Sequence, residues 1–268
     1  MRGNWLLRRV FLCNSHAIMD ATIVFYDIPS QHPGVTWSPN PAKTRYALDF
    51  KGLAYRTEYV EYPDIEGVVK ALGGAPTEKK PDGRPHYTLP MIHDLTTGAV
   101  VTDSFNIAVY LDKTYPAKPL LPSGDFALVA ALQAALQPVI ISLVPFGIPA
   151  SQRLLNAASS GYYRARLEGM FGTTMEALFP APGSDRDRAE WAKVKDAWGA
   201  VDAWLVAANA RYFGGAERNY ADLYVAAYVF WVKTVLAEEK WRDFATWHGG
   251  RWAHLLSTVE READGAPQ

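Results

Sequence analysis

The period of the hydrophobic pattern changes partway along the chain. Thr22-Ile23-Val24-Phe25-Tyr26 is a β-branched and aromatic run that suits a buried strand. A polar, proline-containing stretch from Pro29 to Trp37 reads as a loop. From Pro39 to Lys51 the residues Ala42, Tyr46, Ala47 and Phe50 recur at helical spacing, and Gly52 is the natural stop. Alternation from Tyr55 to Tyr62 predicts a second strand, and Ile65 to Leu72 predicts a short helix. Gly73 to Pro85, rich in Gly, Pro and Lys, has no packing pattern and reads as a loop. Tyr87 to His93 and Val100-Val101 predict two strands around a turn at Thr96-Thr97-Gly98. Ser104 to Tyr115 predicts a helix with Ile107, Ala108 and Leu111 on one face.

The prolines between Pro116 and Gly124 mark a linker, so residues 21–115 form a first domain and 125–268 a second. Beyond the linker no strand signal stands out. Trp191, Trp198, Val201 and Leu205 lie at helical spacing, as do Leu223, Ala226, Ala227 and Phe230. The expected class is α+β: a βαβαββα domain, its first two strands joined by a right-handed crossover, followed by an all-α domain. Phe126 to Ala150 carries no charge, which raises a membrane span. Gln133, Gln137, Pro138, Ser142 and Pro145 interrupt the run, so a buried helix serving a subunit contact and an apolar pocket is the better expectation.

Composition narrows the functional classes. With 49% hydrophobic and 21% charged residues in 268, the chain reads as an ordinary soluble globular protein. A formal net charge of −1 offers nucleic acid or an anionic membrane no overall attraction, and neither is expected as a partner. The single cysteine, Cys13, rules out an intrachain disulfide and a thiolate-rich metal site, and suits a reducing, cytoplasmic setting. The six histidines lack paired metal spacing, so no metal is expected. Residues 1–20 include Arg8-Arg9 and a short apolar run, Val10 to Cys13, too short for a secretory signal. They are expected to be a tag, a mis-assigned start or a disordered arm, with the fold beginning near Ala21.

Three short signatures carry the candidate chemistry. Ser38 precedes Pro39, whose fixed φ and missing N–H suit a first helical position, so Ser38 stands at the positive end of a helix. A thiol bound there is favoured as thiolate, although the same residue is equally a plain helix cap. Leu89-Pro90 puts proline in an expected strand, where a cis peptide would free the Leu89 backbone to pair with a peptide ligand. Asp103-Ser104 opens the next helix; the serine suits a carboxylate and the aspartate an α-ammonium group.

In this order the signatures resemble the cytosolic glutathione transferase superfamily over about Ala21 to Glu262. Asn219-Tyr220-Ala221-Asp222 is similar to that family's capping box in the helical domain. Trp37-Ser38-Pro39 leading into Lys43-Thr44-Arg45-Tyr46-Ala47-Leu48, with the long insert before Leu89-Pro90, resembles the fungal etherase-like class, similar to bacterial lignin β-etherases. The resemblance implies a thioredoxin-like first domain and a homodimer that uses glutathione as co-substrate. Ser38 would stabilise the thiolate, Asn40 would add a polar contact, and Leu89 with Pro90 would bind the cysteinyl backbone. Asp103 and Ser104 would hold the γ-glutamyl end, and Trp37 would line the pocket for a hydrophobic, aromatic second substrate. Ser38 stands where the omega class has cysteine, which argues against a mixed disulfide with the enzyme; Tyr26 leaves a tyrosine mechanism as a lesser option. Ether cleavage, conjugation and peroxide reduction all fit this site. The rival expectations are a non-catalytic carrier of aromatic or polyphenolic compounds and a structural module of a larger assembly.

Overall fold

A computed structural model describes residues 21–265 apart from 81, 123 and 125. The expectation for residues 1–20 lies outside the described residues. The first half is a thioredoxin-like domain whose sheet has the strand order β2 (Tyr55–Tyr59), β1 (Ile23–Asp27), β5 (Met91–Asp94), β6 (Val100–Thr102). Strand β1 (Ile23–Asp27) is central because Ile23, Val24 and Phe25 are buried. It runs parallel to β2 (Tyr55–Tyr59) and antiparallel to β5 (Met91–Asp94), with Phe25 facing Thr57 on one side and Ile92 on the other. Strand β6 (Val100–Thr102) closes the far edge against β5. Helix α1 (Pro39–Lys51) connects β1 to β2 and stops at Gly52, which adopts the left-handed conformation at φ 66°. Helix α2 (Ile65–Ala71) follows a 3₁₀ turn at Tyr62–Asp64.

Two local expectations need correction. The segment 73–85, read as a loop, contains β3 (Glu78–Lys79), which pairs with β4 (Pro85–His86) at the segment's end. These two-residue strands lack an alternating apolar face, so no sequence signal announces them. The strand expected over Tyr87–His93 begins only at Met91, which leaves the Leu89-Pro90 peptide, in the cis form, just outside it. Proline has no N–H for the ladder, so pairing starts after it.

Helix α3 (Ser104–Thr114) ends the first domain. The second is all-helical: α4 (Phe126–Leu154), α5 (Ala157–Phe171), α6 (Met175–Leu178), α7 (Asp185–Ala207), α8 (Tyr220–Val235) and α9 (Glu238–Gly265). The last is broken at Trp247–Gly250, where the backbone leaves the helical region. Helix α8 is the hub; Leu223, Val225, Ala226, Ala227 and Val229 are buried as it packs on α1, α4 and α9. Its start is fixed by the expected capping box, in which Asn219 accepts from the Ala221 N–H and Asp222 accepts from the Asn219 N–H.

Helix α4 departs from the expectation of a buried helix. Val129, Leu136, Val139, Leu143 and Phe146 recur at heptad-like spacing and face the core. Leu128 and Ile141 are 67% and 61% exposed, so an apolar face of α4 is uncovered in the single chain. Its length and apolar composition meet the criteria for a membrane span, yet Pro138, Pro145 and Pro149 lie within it.

Candidate active site

A cleft of about 310 Å³ lies between the two domains. Ser38, Asn40, Leu89, Pro90, Asp103 and Ser104, the six polar or backbone contacts expected from sequence, all line it.

Ser38 occupies the N-cap of α1 with extended backbone (φ −80°, ψ 133°), and its side chain makes no capping hydrogen bond. The plain-cap alternative would require that bond. The hydroxyl, largely buried in the cleft wall, is therefore left for a ligand. The first turn is also unusually poor in donors. Pro39 and Pro41 have no N–H, and the Ala42 N–H is used by the Ser38 carbonyl at 3.2 Å. Asn40 thus supplies the one main-chain donor of that turn without a partner among the described residues, beside Ser38.

One turn further along α1 is Lys43, whose role in the site the sequence reading missed. Its buried ammonium donates to Asn40 Oδ1 at 2.8 Å and to the Tyr228 hydroxyl at 3.2 Å, and it lies 4.2 Å from the centre of the Tyr224 ring. Burial pushes its pKa down to about 7, against the opposing pull of the Asp103 charge. A lysine in a sequence reads as a solvated side chain, and only the docking of α8 onto α1 encloses this one.

Leu89 is buried immediately before β5, and its backbone N–H and C=O make no hydrogen bond among the described residues. Both are free for a peptide laid along this edge. Asp103 caps α3 by accepting from Phe105 N and Asn106 N, both at 3.0 Å through Oδ1, which leaves Oδ2 outside the cap. Its φ of 74° is a left-handed value rare for a non-glycine residue, and such backbone clusters at binding sites. Ser104, the first residue of α3, follows it with its hydroxyl and N–H at the positive end of the helix.

The helical domain contributes Gln133, Tyr162, Arg166 and Tyr224, every one with a hydrogen-bonding head. The Nε2 atom of Gln133 is buried without a partner among the described residues. None of the four was expected. They come from α4, α5 and α8, three separate stretches that only the tertiary fold assembles.

Trp37 does not line the cleft. It is buried in the core, its ring edge-on to Tyr163 at 6.1 Å, so the expected substrate wall at this position is replaced by interdomain packing. Tyr26, on β1, is likewise outside the cleft, and burial with the nearby Glu58 charge pushes its phenol pKa up rather than down. Among the described residues, no group of three or more His, Cys, Asp or Glu side chains is arranged to hold a metal ion.

Comparison with known proteins gives a consistent result. The glutathione S-transferase N-terminal domain family matches residues 37–114, and the glutathione S-transferase C-terminal domain family matches residues 127–261. A glutathione S-transferase of Ceriporiopsis subvermispora, solved in complex with glutathione, is 42% identical. That alignment covers 90% of this chain and 97% of that one, with a TM-score of 0.86. A glutathione transferase of Phanerochaete chrysosporium is 39% identical over 90% of this chain and 96% of its own, with a TM-score of 0.83. A glutathione S-transferase-like protein of Aspergillus flavus is 28% identical over 255 residues, covering 88% of this chain and 89% of that protein.

Proposed function

This chain belongs to the glutathione S-transferase family, and on that premise we propose that it joins glutathione to aromatic electrophiles, with Ser38 holding the sulfur as thiolate. The observation that carries this reading is the Ser38 hydroxyl, which stands at a helix start without capping it and faces the same cleft as the free Leu89 backbone and the Asp103-Ser104 pair. A tripeptide thiol placed with its α-ammonium group at Asp103 and its α-carboxylate at Ser104 can pair its cysteinyl backbone with Leu89 and bring sulfur to Ser38. The relative from Ceriporiopsis subvermispora, solved with glutathione, supports that ligand.

Four features favour sulfur as an anion: the Ser38 hydroxyl, the unpaired Asn40 N–H, the positive end of α1 and the Lys43 ammonium. The thiol proton leaves to solvent. The thiolate then attacks an electrophilic carbon, the S–C bond forms, and the leaving group departs with its bonding electrons. An aryl ether fits the same chemistry, with aryloxide as the leaving group. Tyr162 and Tyr224 offer the acceptor aromatic surface. A homodimer is part of the proposal, a second copy covering the uncovered face of α4 around Leu128 and Ile141.

Ser38→Ala tests the assignment. Turnover of an aryl halide with glutathione should fall roughly ten- to a hundredfold, while glutathione affinity stays close to that of the parent. Full activity in the variant would remove Ser38 from the chemistry.

A further inference from the structure

Arg166 is the least explained charge in the cleft. It lies on α5, partly buried, and makes no hydrogen bond or ion pair among the described residues. Several carboxylates on the same helix, on the segment after β2 and in the cleft are engaged elsewhere. Glu168, on the same helix, pairs with Arg164 at 3.0 Å and accepts from the Met175 N–H at 2.9 Å. Glu61 accepts from Asn156 at 2.7 Å and from the Ser159 hydroxyl. Within the cleft, Glu78 pairs with the His86 ring at 2.6 Å and Asp103 caps α3.

The position of Arg166 is fixed from two sides. The start of α5 is tied to the first domain by the Glu61 contacts and by the Tyr62 N–H donating to Ser159 Oγ at 2.8 Å. One turn before Arg166, Tyr162 stacks on Tyr62 with ring centres 6.1 Å apart and planes 18° from parallel. The guanidinium therefore belongs to the Tyr62 end of the cleft. Its charge opposes the upward shift that burial imposes on the Tyr62 and Tyr163 phenols. The Asp103 charge is felt instead at Lys43, Tyr220 and Tyr224, which marks the other end.

We propose that Arg166 is a carboxylate anchor at the Tyr62 end of the cleft, a second anionic subsite distinct from the Asp103-Ser104 end. The inference rests on the transferase reading for its ligand, an acid group on the aromatic acceptor, because Arg166 stands beside Tyr162 on the helical domain and apart from the first-domain residues assigned to glutathione. A planar guanidinium grips a carboxylate through two parallel N–H donors, and here no ion pair among the described residues has to be broken first.

Calorimetry on the intact protein separates this ligand from the glycyl end of glutathione. One arm compares glutathione with its glycyl monoethyl ester; the other compares biphenyl-4-carboxylate with biphenyl-4-carboxamide on the glutathione-saturated protein. In the biphenyl arm the carboxylate should bind about tenfold more tightly than its neutral partner, while the glutathione pair should not depend on Arg166. Arg166→Gln should reduce that preference to less than about twofold. Arg166→Lys, which keeps the charge but loses the fork, should retain part of it and serves where the glutamine variant does not fold. The proposal is overturned if the biphenyl pair does not discriminate in the parent, if its preference survives in Arg166→Gln, or if that variant weakens glutathione instead. Should glutathione itself fail to bind, the transferase reading falls, and the biphenyl pair, titrated onto the protein alone, still decides the role of Arg166.

Discussion

The ammonium of Lys43 donates to Oδ1 of Asn40 at 2.8 Å, so the polar residue expected at the start of α1 is held by a buried cation one turn away. Its pKa of about 7 leaves much of it protonated in neutral solution, close to where a thiolate would form. Lys43→Met should lower kcat/KM by about tenfold, and an inflection near pH 7 in its pH profile should disappear. The stability sign follows from the same shift. Between about pH 7 and the ordinary lysine value the unfolded chain binds more protons than the native one, so this group's contribution to stability rises with pH across that window. Lys43→Met should flatten the curve there, as read from melting temperatures at several pH values. An unchanged pH profile would place Lys43 outside the thiolate's field.

Asp222 ties down the start of α8 by accepting from the backbone N–H groups of Phe213, Gly214 and Asn219. Asp222→Ala leaves three partly buried backbone donors without their acceptor and should cost about 2 kcal/mol of stability, measured by denaturant unfolding. Burial raises its pKa to about 6. Between the ordinary carboxylate value and about 6 the native state binds more protons, so the contribution of this group falls as pH rises through that window. Asp222→Asn should remove that slope. A loss of less than about 0.5 kcal/mol in the alanine variant would mean that the cap is replaceable.

Ile141 stands 61% exposed on the uncharged stretch of helix α4 that runs from Phe126 to Ala150. If a second copy covers this face, Ile141→Asp should convert a dimer to a monomer in sedimentation equilibrium with little loss of fold by circular dichroism. A parent protein that sediments as a monomer at micromolar concentration would count against the dimer.

The sequence made the local part of the site readable. Ser38-Pro39, Leu89-Pro90 and Asp103-Ser104 each act through residues adjacent in the chain, at element ends whose chemistry follows from residue type. The cis Leu89-Pro90 peptide and the Asn219-Asp222 capping box follow the same logic and are present. What stayed hidden depends on the meeting of distant segments. Lys43 becomes a cleft cation only when Tyr224 and Tyr228 close over it, and Arg166 reaches the cleft only because α5 is pinned to the segment after β2. Trp37 misled for the converse reason: its neighbour Ser38 faces the cleft, while its own indole turns into the core against Tyr163. The β3–β4 hairpin escaped notice because two-residue strands carry no period.

The claim that this cleft binds glutathione is tested most directly by titrating the ligand into the parent protein and into Ser104→Ala. Ser104 should hold the γ-glutamyl α-carboxylate at the start of α3, so the parent should bind in the micromolar to millimolar range and the variant about tenfold or more weakly. Equal affinity in the two proteins would contradict the assigned orientation. No binding by the folded parent would remove glutathione from the cleft altogether.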